Sequence, residues 1–318
     1  MECLCIDNAP MSIAPYLKTI GRGKDGARPL TREQAEDLMT RIMDGRVSDL
    51  ELGGFALAMR IKGETADELA GFVAATMQHT LALTAPAGQP VVVLASYNGA
   101  RKLPNFTPLL ALLLARRGVP VLVHGLLSDA SRVTSAEIFH ELGLAPVASA
   151  AQATERWALG EPVFMPLEVL NRPLAQLLAI RQVLGLRNSG HTIAKVMPVL
   201  PGALRVINHT HPEYAISLAE HLRDSGANAV LMRGTEGEPV ADCRRQPRMD
   251  VYLGGVLASE LSLTPQDGVL TSVPVLPGSI DAPTTAAHIR AVLAGQAELP
   301  APIARQVETL CATLARLH

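Results

Sequence analysis

Aromatic side chains are scarce in this sequence. Five Phe, four Tyr and one Trp among 318 residues leave any sizeable core to be built from Leu, Ala and Val. Cysteine is rarer still. Cys3, Cys5, Cys243 and Cys311 show neither CxxC nor Cys/His spacing, which speaks against a disulfide framework or a structural zinc and for a reducing compartment. Long apolar runs are missing too: LLALLLA at 109–115 falls well short of the roughly 20 residues that span a membrane. No basic segment leads into an apolar one near the first residues, so nothing points to export. The expectation is a cytoplasmic protein with no membrane partner.

Acidic residues are absent over two long stretches, Leu69 to Ser128 and Val169 to Pro212. Arg101, Lys102, Arg116 and Arg117 lie in the first, and Arg172, Arg181, Arg187, Lys195 and Arg205 in the second. A net charge of −2 excludes a uniformly basic protein, but an average can conceal a positive face. Two explanations stay open: a cationic surface for a polyanion, or apolar core segments that simply exclude carboxylates.

What is present is a change of pattern along the chain. The first eighty residues read as helices. Thr31 stands three residues before Gln34, and Thr65 three before Glu68, the spacing of a capping box; Ser48 precedes an acidic first turn. A small helical domain is expected over 1–83, joined by helices from about 165–190. TAPAGQP at 84–90 is a hinge. Then strands alternate with helices: VVVLA at 91–95, PNFTPLLALLLARRG with Pro104 and Pro108 at its start, VPVLVHG, SAEIFHELGLAP ending near Gly143, LRVINH, EYAISLAEHLRDSGA and NAVLMRGTEG. This alternation predicts a large α/β domain over 84–318 with a doubly wound, largely parallel sheet.

The stretch ASYNGARKLPNF follows the first strand and leads into the helix, the layout of a phosphate loop. It has one glycine, although close backbone approach to a phosphate favours several. It presents Tyr97, Asn98, Arg101 and Lys102, which are expected to reach outward; Tyr97 is the candidate to stack on a base, while Phe106 packs inward. Arg132 and Arg233 follow later strands, and at strand ends they join the loop cations as phosphate-binding candidates. Arg181-Gln-Val-Leu184-Gly185-Leu-Arg187 supplies two guanidinium groups suited to carboxylate or phosphate, with His191 and Lys195 close behind. In RGTEGE at 233–238, Glu236 and Glu238 are weak candidates for a hard cation, and an exposed polar turn accounts for them more simply. His209 and His211 lack a third ligand at metal spacing. CRRQPR at 243–248 is either a phosphate contact or a soluble loop.

Helical bundle, hinge, glycine-bearing loop, His124-Gly125 and SAEIFHELG in this order resemble the anthranilate phosphoribosyltransferase family. That resemblance implies a small helical and a large α/β domain. It also implies a GTGGD-type loop whose amides wrap the pyrophosphate of phosphoribosyl pyrophosphate, a KHGN motif and an acidic Mg²⁺ motif. Here three of the glycines and the aspartate are replaced, Val123 and Leu126 flank His124-Gly125, and the R-x-x-L-G-x-R pattern alone is intact, its first arginine being the one that binds the aromatic acid. SYNGARK, ARRGVPVLVHG, RNSGHT-AK and RGTEGE are similar in turn to a divergent branch, the YbiB-like proteins. Membership there implies a non-catalytic homodimer, paired through its helical domains, that needs no cofactor and binds DNA or RNA with little sequence preference. The alternative is a Mg²⁺-dependent phosphoribosyltransferase working through a modified loop.

Overall fold

The structure, a computed structural model describing residues 12–317, opens with five helices: α1 (Ala14–Ile20), α2 (Gly23–Gly26), α3 (Arg32–Met43), α4 (Asp49–Lys62) and α5 (Ala66–Met77). Cys3 and Cys5 lie outside the described residues. Helices α3, α4 and α5 each start at a full capping box, Thr31/Gln34, Ser48/Glu51 and Thr65/Glu68, with both reciprocal hydrogen bonds made. The third box does more than cap. The Glu68 carboxylate is fully buried and also accepts from the Leu30 amide at 2.9 Å and from Lys62 Nζ at 2.6 Å. One side chain thereby joins the entry to α3, the end of α4 and the start of α5.

The chain continues through β1 (Val92–Ser96), α6 (Thr107–Ala115), β2 (Val121–Gly125), α7 (Ser135–Glu141), α8 (Ala150–Ala158), β3 (Val163–Pro166) and α9 (Leu167–Leu170). It returns to the helical part with α10 (Arg172–Ala179), α11 (Arg181–Leu184) and α12 (Ser189–Val196). Then come β4 (Leu204–His209), α13 (Pro212–Asp224), β5 (Ala229–Arg233), a 3₁₀ turn (Thr235–Gly237), β6 (Met249–Leu253), β7 (Val256–Leu257), α14 (Ala282–Leu293) and α15 (Ala301–Leu314). Two compact units result. One takes the chain up to Thr80 together with Asn171–Met197; the other takes Leu81–Leu170 and everything from Pro198 onward. The boundary therefore falls at Thr80/Leu81, ahead of the expected hinge, and the returning segment begins later than 165.

The sheet has the order β3-β2-β1-β4-β5-β6-β7; β3 through β5 are parallel, and β6 and β7 run antiparallel at one edge. Strand β1 is buried along its whole length, as a central strand covered on both faces must be, which is why its sequence is a continuous apolar run. Phe106 does pack inward, stacked on His288 at 5.6 Å between ring centroids. The direction of winding changes between the neighbours β1 and β4, so the loops after β1 and β5 open at the carboxyl ends of the strands beside a switch point.

Glu68→Ala is expected to destabilise the helical unit by about 3–5 kcal/mol, because the nearly buried Lys62 ammonium loses its carboxylate partner. Urea unfolding followed by circular dichroism measures this; a loss under about 1 kcal/mol would mean the ion pair is not needed.

Candidate functional site

The loop after β1 is an amide cradle, and it is filled from within the chain. Backbone N–H groups of Asn98 and Gly99 both donate to Glu238 Oε1 at 2.7 Å. Those of Arg101, Lys102 and Leu103 converge on Glu236 Oε2 at 2.7, 3.0 and 3.3 Å. Ser96 Oγ and Thr107 Oγ1 donate to Glu238 Oε2, the latter at 3.2 Å. Behind them Asn105 Nδ2 donates to Ser135 Oγ at 3.0 Å, and Ser135 lies 2.7 Å from Ser96 Oγ, a relay of donors ending on one carboxylate. Several loop amides pointing at oxyanions are what a phosphate loop supplies; here the oxyanions are two glutamates from the segment after β5.

Local sequence makes the fit possible. Gly99 adopts φ 68°, and a Cβ there would sit 2.9 Å from the Val133 carbonyl oxygen, so the loop's one glycine stands where contact with the next loop is closest. Gly237, at φ 89°, passes so near Asn98 that a Cβ would come within 1.5 Å of Asn98 Nδ2. That Nδ2 donates to the Glu236 carbonyl at 2.9 Å. Gln306 on α15 braces the acidic segment, donating to the Pro239 carbonyl and accepting from the Ala241 amide.

The candidate side chains divide. Arg101 and Lys102 are exposed, Arg132 is half-buried with Nη1 3.4 Å from the Gly99 carbonyl, and Arg233 is exposed at the end of β5; all four stand at the carboxyl ends of the parallel strands. Tyr97 and Asn98, expected to point outward, do not. Tyr97 is 2% exposed and its hydroxyl is 2.6 Å from His124 Nδ1, the rings meeting edge-on at 5.4 Å. Burial pulls His124 down to about 3, so the imidazole is neutral. Burial, reinforced by the charge of Glu168, pushes the Tyr97 phenol up, so both partners of this hydrogen bond are uncharged. The pair is a wedge under the loop, not a stacking platform.

Arg181, Arg187, His191 and Lys195 belong to the helical unit. His191 is buried and closes a capping box with Asn188 at the start of α12. Burial, then the positive charges of Arg187, Arg181 and Lys195, hold it down at about 3, so it is a neutral ring that caps the helix. Arg205, counted among the cations of the second acid-free run, is 7% exposed on β4, and burial lowers it to about 10. In CRRQPR, Arg244 is bound to Asp242 at 2.9 Å and Arg248 to Asp250 at 2.8 Å.

Glu236 and Glu238 do not fit a Mg²⁺ site. Their engaged lone pairs are met by N–H and O–H donors, whose dipoles take the place of a cation, and no group of three His, Cys, Asp or Glu that could hold a metal occurs among the described residues. His209 and His211 are likewise without a metal set among those residues. What the sequence hid was the partnership itself: Glu-Gly-Glu after a strand reads as a turn, and nothing local names a loop some 140 residues earlier.

Residues 14–80 match a family model described as the glycosyl transferase family helical bundle domain. The chain is 41% identical to the uncharacterized protein YbiB of Escherichia coli K12, over 96% of this chain and 94% of that protein. It is 27% identical to an anthranilate phosphoribosyltransferase of Streptomyces griseus, over 88% and 78% of the two chains. Among solved structures, the anthranilate phosphoribosyltransferase TrpD of Thermus thermophilus superimposes with a TM-score of 0.74 at 24% identity, covering 95% of this chain and 96% of that one.

Because His124 is held neutral in the folded protein to about pH 3 and titrates near 6.5 when unfolded, the unfolded chain binds the extra proton between those values. Its contribution to stability is complete above about pH 6.5 and is lost as the pH falls, by about 1.4 kcal/mol per unit. In His124→Asn the slope of unfolding free energy against pH between 6 and 4 is therefore shallower than in the parent by about that amount. Equal slopes would mean His124 is not held neutral.

Proposed function

Because the chain belongs to the anthranilate phosphoribosyltransferase-like family, together with YbiB, we propose that it is a non-catalytic, homodimeric protein that binds nucleic acid with little sequence preference. The observation that carries the reading is the filled loop. Loop amides that would suit a phosphate are taken here by Glu236 and Glu238, and an anionic substrate would meet two carboxylates. The cationic side chains at the same place, Arg101 and Lys102, are left in solvent. Exposed cations that neutralise phosphates and release counterions suit a polymer, whose many weak contacts add, better than one small ligand held closely.

Helix α4 supports pairing through the helical unit. Leu50, Leu57 and Ile61 are 87%, 41% and 72% exposed, and their spacing sets them on one stripe of the helix. A second copy covering that stripe would double the cations offered to one strand and raise avidity through effective concentration.

Affinity for a single-stranded oligonucleotide is expected to fall linearly on a log–log plot against salt, and Arg101→Ala and Lys102→Ala each to reduce the slope by about one. Fluorescence anisotropy at several salt concentrations measures it; binding indifferent to salt would end the electrostatic account. Calorimetry with phosphoribosyl pyrophosphate and Mg²⁺ is expected to show no saturable micromolar binding, the opposite result favouring the transferase. Leu57→Glu with Ile61→Glu is expected to convert a dimer to a monomer in sedimentation velocity, and an unchanged sedimentation coefficient would remove α4 from the interface.

A further inference from the structure

The two carboxylates in the loop are held in different ways. Glu238 is 1% exposed and both of its oxygens are engaged, by two amides and two hydroxyls. It is part of the core of the loop. Glu236 is only half-buried, and its loop contacts all fall on one oxygen, Oε2, which accepts from the amides of Arg101, Lys102 and Leu103. To deliver that oxygen its backbone adopts φ 51°, the one positive φ at a non-glycine among the described residues.

The surroundings favour more negative charge than one carboxylate brings. Arg101 and Lys102 flank the nest and are exposed. Burial alone would raise the Glu236 carboxyl; the three amides and the charge of Arg132 outweigh it and hold the group below the usual carboxylate range. Arg244 is also within electrostatic reach, although Asp242 already balances it. An anion that meets three convergent N–H groups, a half-open approach and this many cations is chemically closer to a phosphoryl oxyanion than to a side chain fixed for structure alone.

We propose that Glu236 is an exchangeable internal surrogate for a phosphoryl group: its carboxylate fills the Arg101–Leu103 amide nest in the resting protein and is displaced by a phosphate oxyanion, whether of inorganic pyrophosphate or of a polynucleotide backbone. The natural ligand follows from the nucleic-acid reading above, whereas the exchange itself does not depend on it. Glu238 stays in place and keeps the loop in shape, so only the outer position opens. A resident competitor lowers apparent affinity in proportion to the time it occupies the nest, and removing it restores the intrinsic value.

Two variants test this. Glu236→Gly suits the left-handed backbone and empties the nest; Glu236→Gln keeps the size and one acceptor but removes the charge. Inorganic pyrophosphate, without metal, is titrated by calorimetry, and a short single-stranded oligonucleotide by fluorescence anisotropy at one fixed salt. Glu236→Gly is expected to bind both at least about tenfold more tightly than the parent, with Glu236→Gln in between. Affinities unchanged for both ligands in a variant that melts as the parent does would overturn the exchange, and if Glu236→Gly fails to fold, Glu236→Gln decides alone. A gain for pyrophosphate with no oligonucleotide bound by any form would keep the exchange and retire the nucleic-acid reading. Oligonucleotide bound equally by all forms, with no gain for pyrophosphate, would do the reverse.

Discussion

A loop that leaves a buried strand carries backbone N–H groups with no ladder to join, and each must find an acceptor or be hydrated. In this protein five such groups after β1 are satisfied by two carboxylates that arrive after β5, across 133–140 residues of sequence. The carboxylates have the same need in reverse, since an acid removed from water requires donors for its lone pairs. Each segment thus solves the other's solvation problem. The close approach of Gly237 to Asn98 and the brace from Gln306 both accompany the meeting of these two loops, while Ala100 pairs with Val133 of the loop after β2 on the other side.

From this pairing comes a division between an inner and an outer layer. Ser96, Asn98 and Thr107 are buried and hydrogen-bonded to the buried Glu238, and Tyr97 and His124 form a second buried pair under the same loop. Arg101, Lys102 and Arg233 face solvent, with Arg132 and Glu236 at the margin. The inner layer fixes where the backbone lies; the outer layer decides what charge the strand ends present. Arg181, Arg187 and Lys195 of the helical unit form their own set around His191, apart from Arg101, Lys102, Arg132 and Arg233 of the larger unit.

Much of the fold was legible because its causes are local. A capping box needs residues three apart, and Thr31, Ser48 and Thr65 all start helices where their spacing says. Buried parallel strands need continuous apolar runs, so β1, β2, β4 and β5 could be read directly. Strand β3 is only four residues, and β6 and β7 form an antiparallel edge that the alternating pattern did not announce. The site was harder. Tyr97 in a polar loop reads as a side chain for solvent, and only the depth of His124 beneath it turns it inward. Likewise, the absence of acids from Leu69 to Ser128 was sound as composition but silent about space, because the fold inserts Glu236 and Glu238 into the middle of that stretch. Arg205 and His191 went the same way: a charge count does not see burial in a strand or the use of a ring as a helix cap.

The meshing of the two loops also bears on how such a chain can change over generations. Glycines at 97 and 98 would free the backbone for a small phosphate but leave two carboxylates in its place, while loss of Glu238 alone would strand buried amides and hydroxyls without acceptors. Neither segment can drift far while the other stands still. A chain that carries this lock must change it at two distant points together, so a substitution in one loop is tolerated best when the other changes with it.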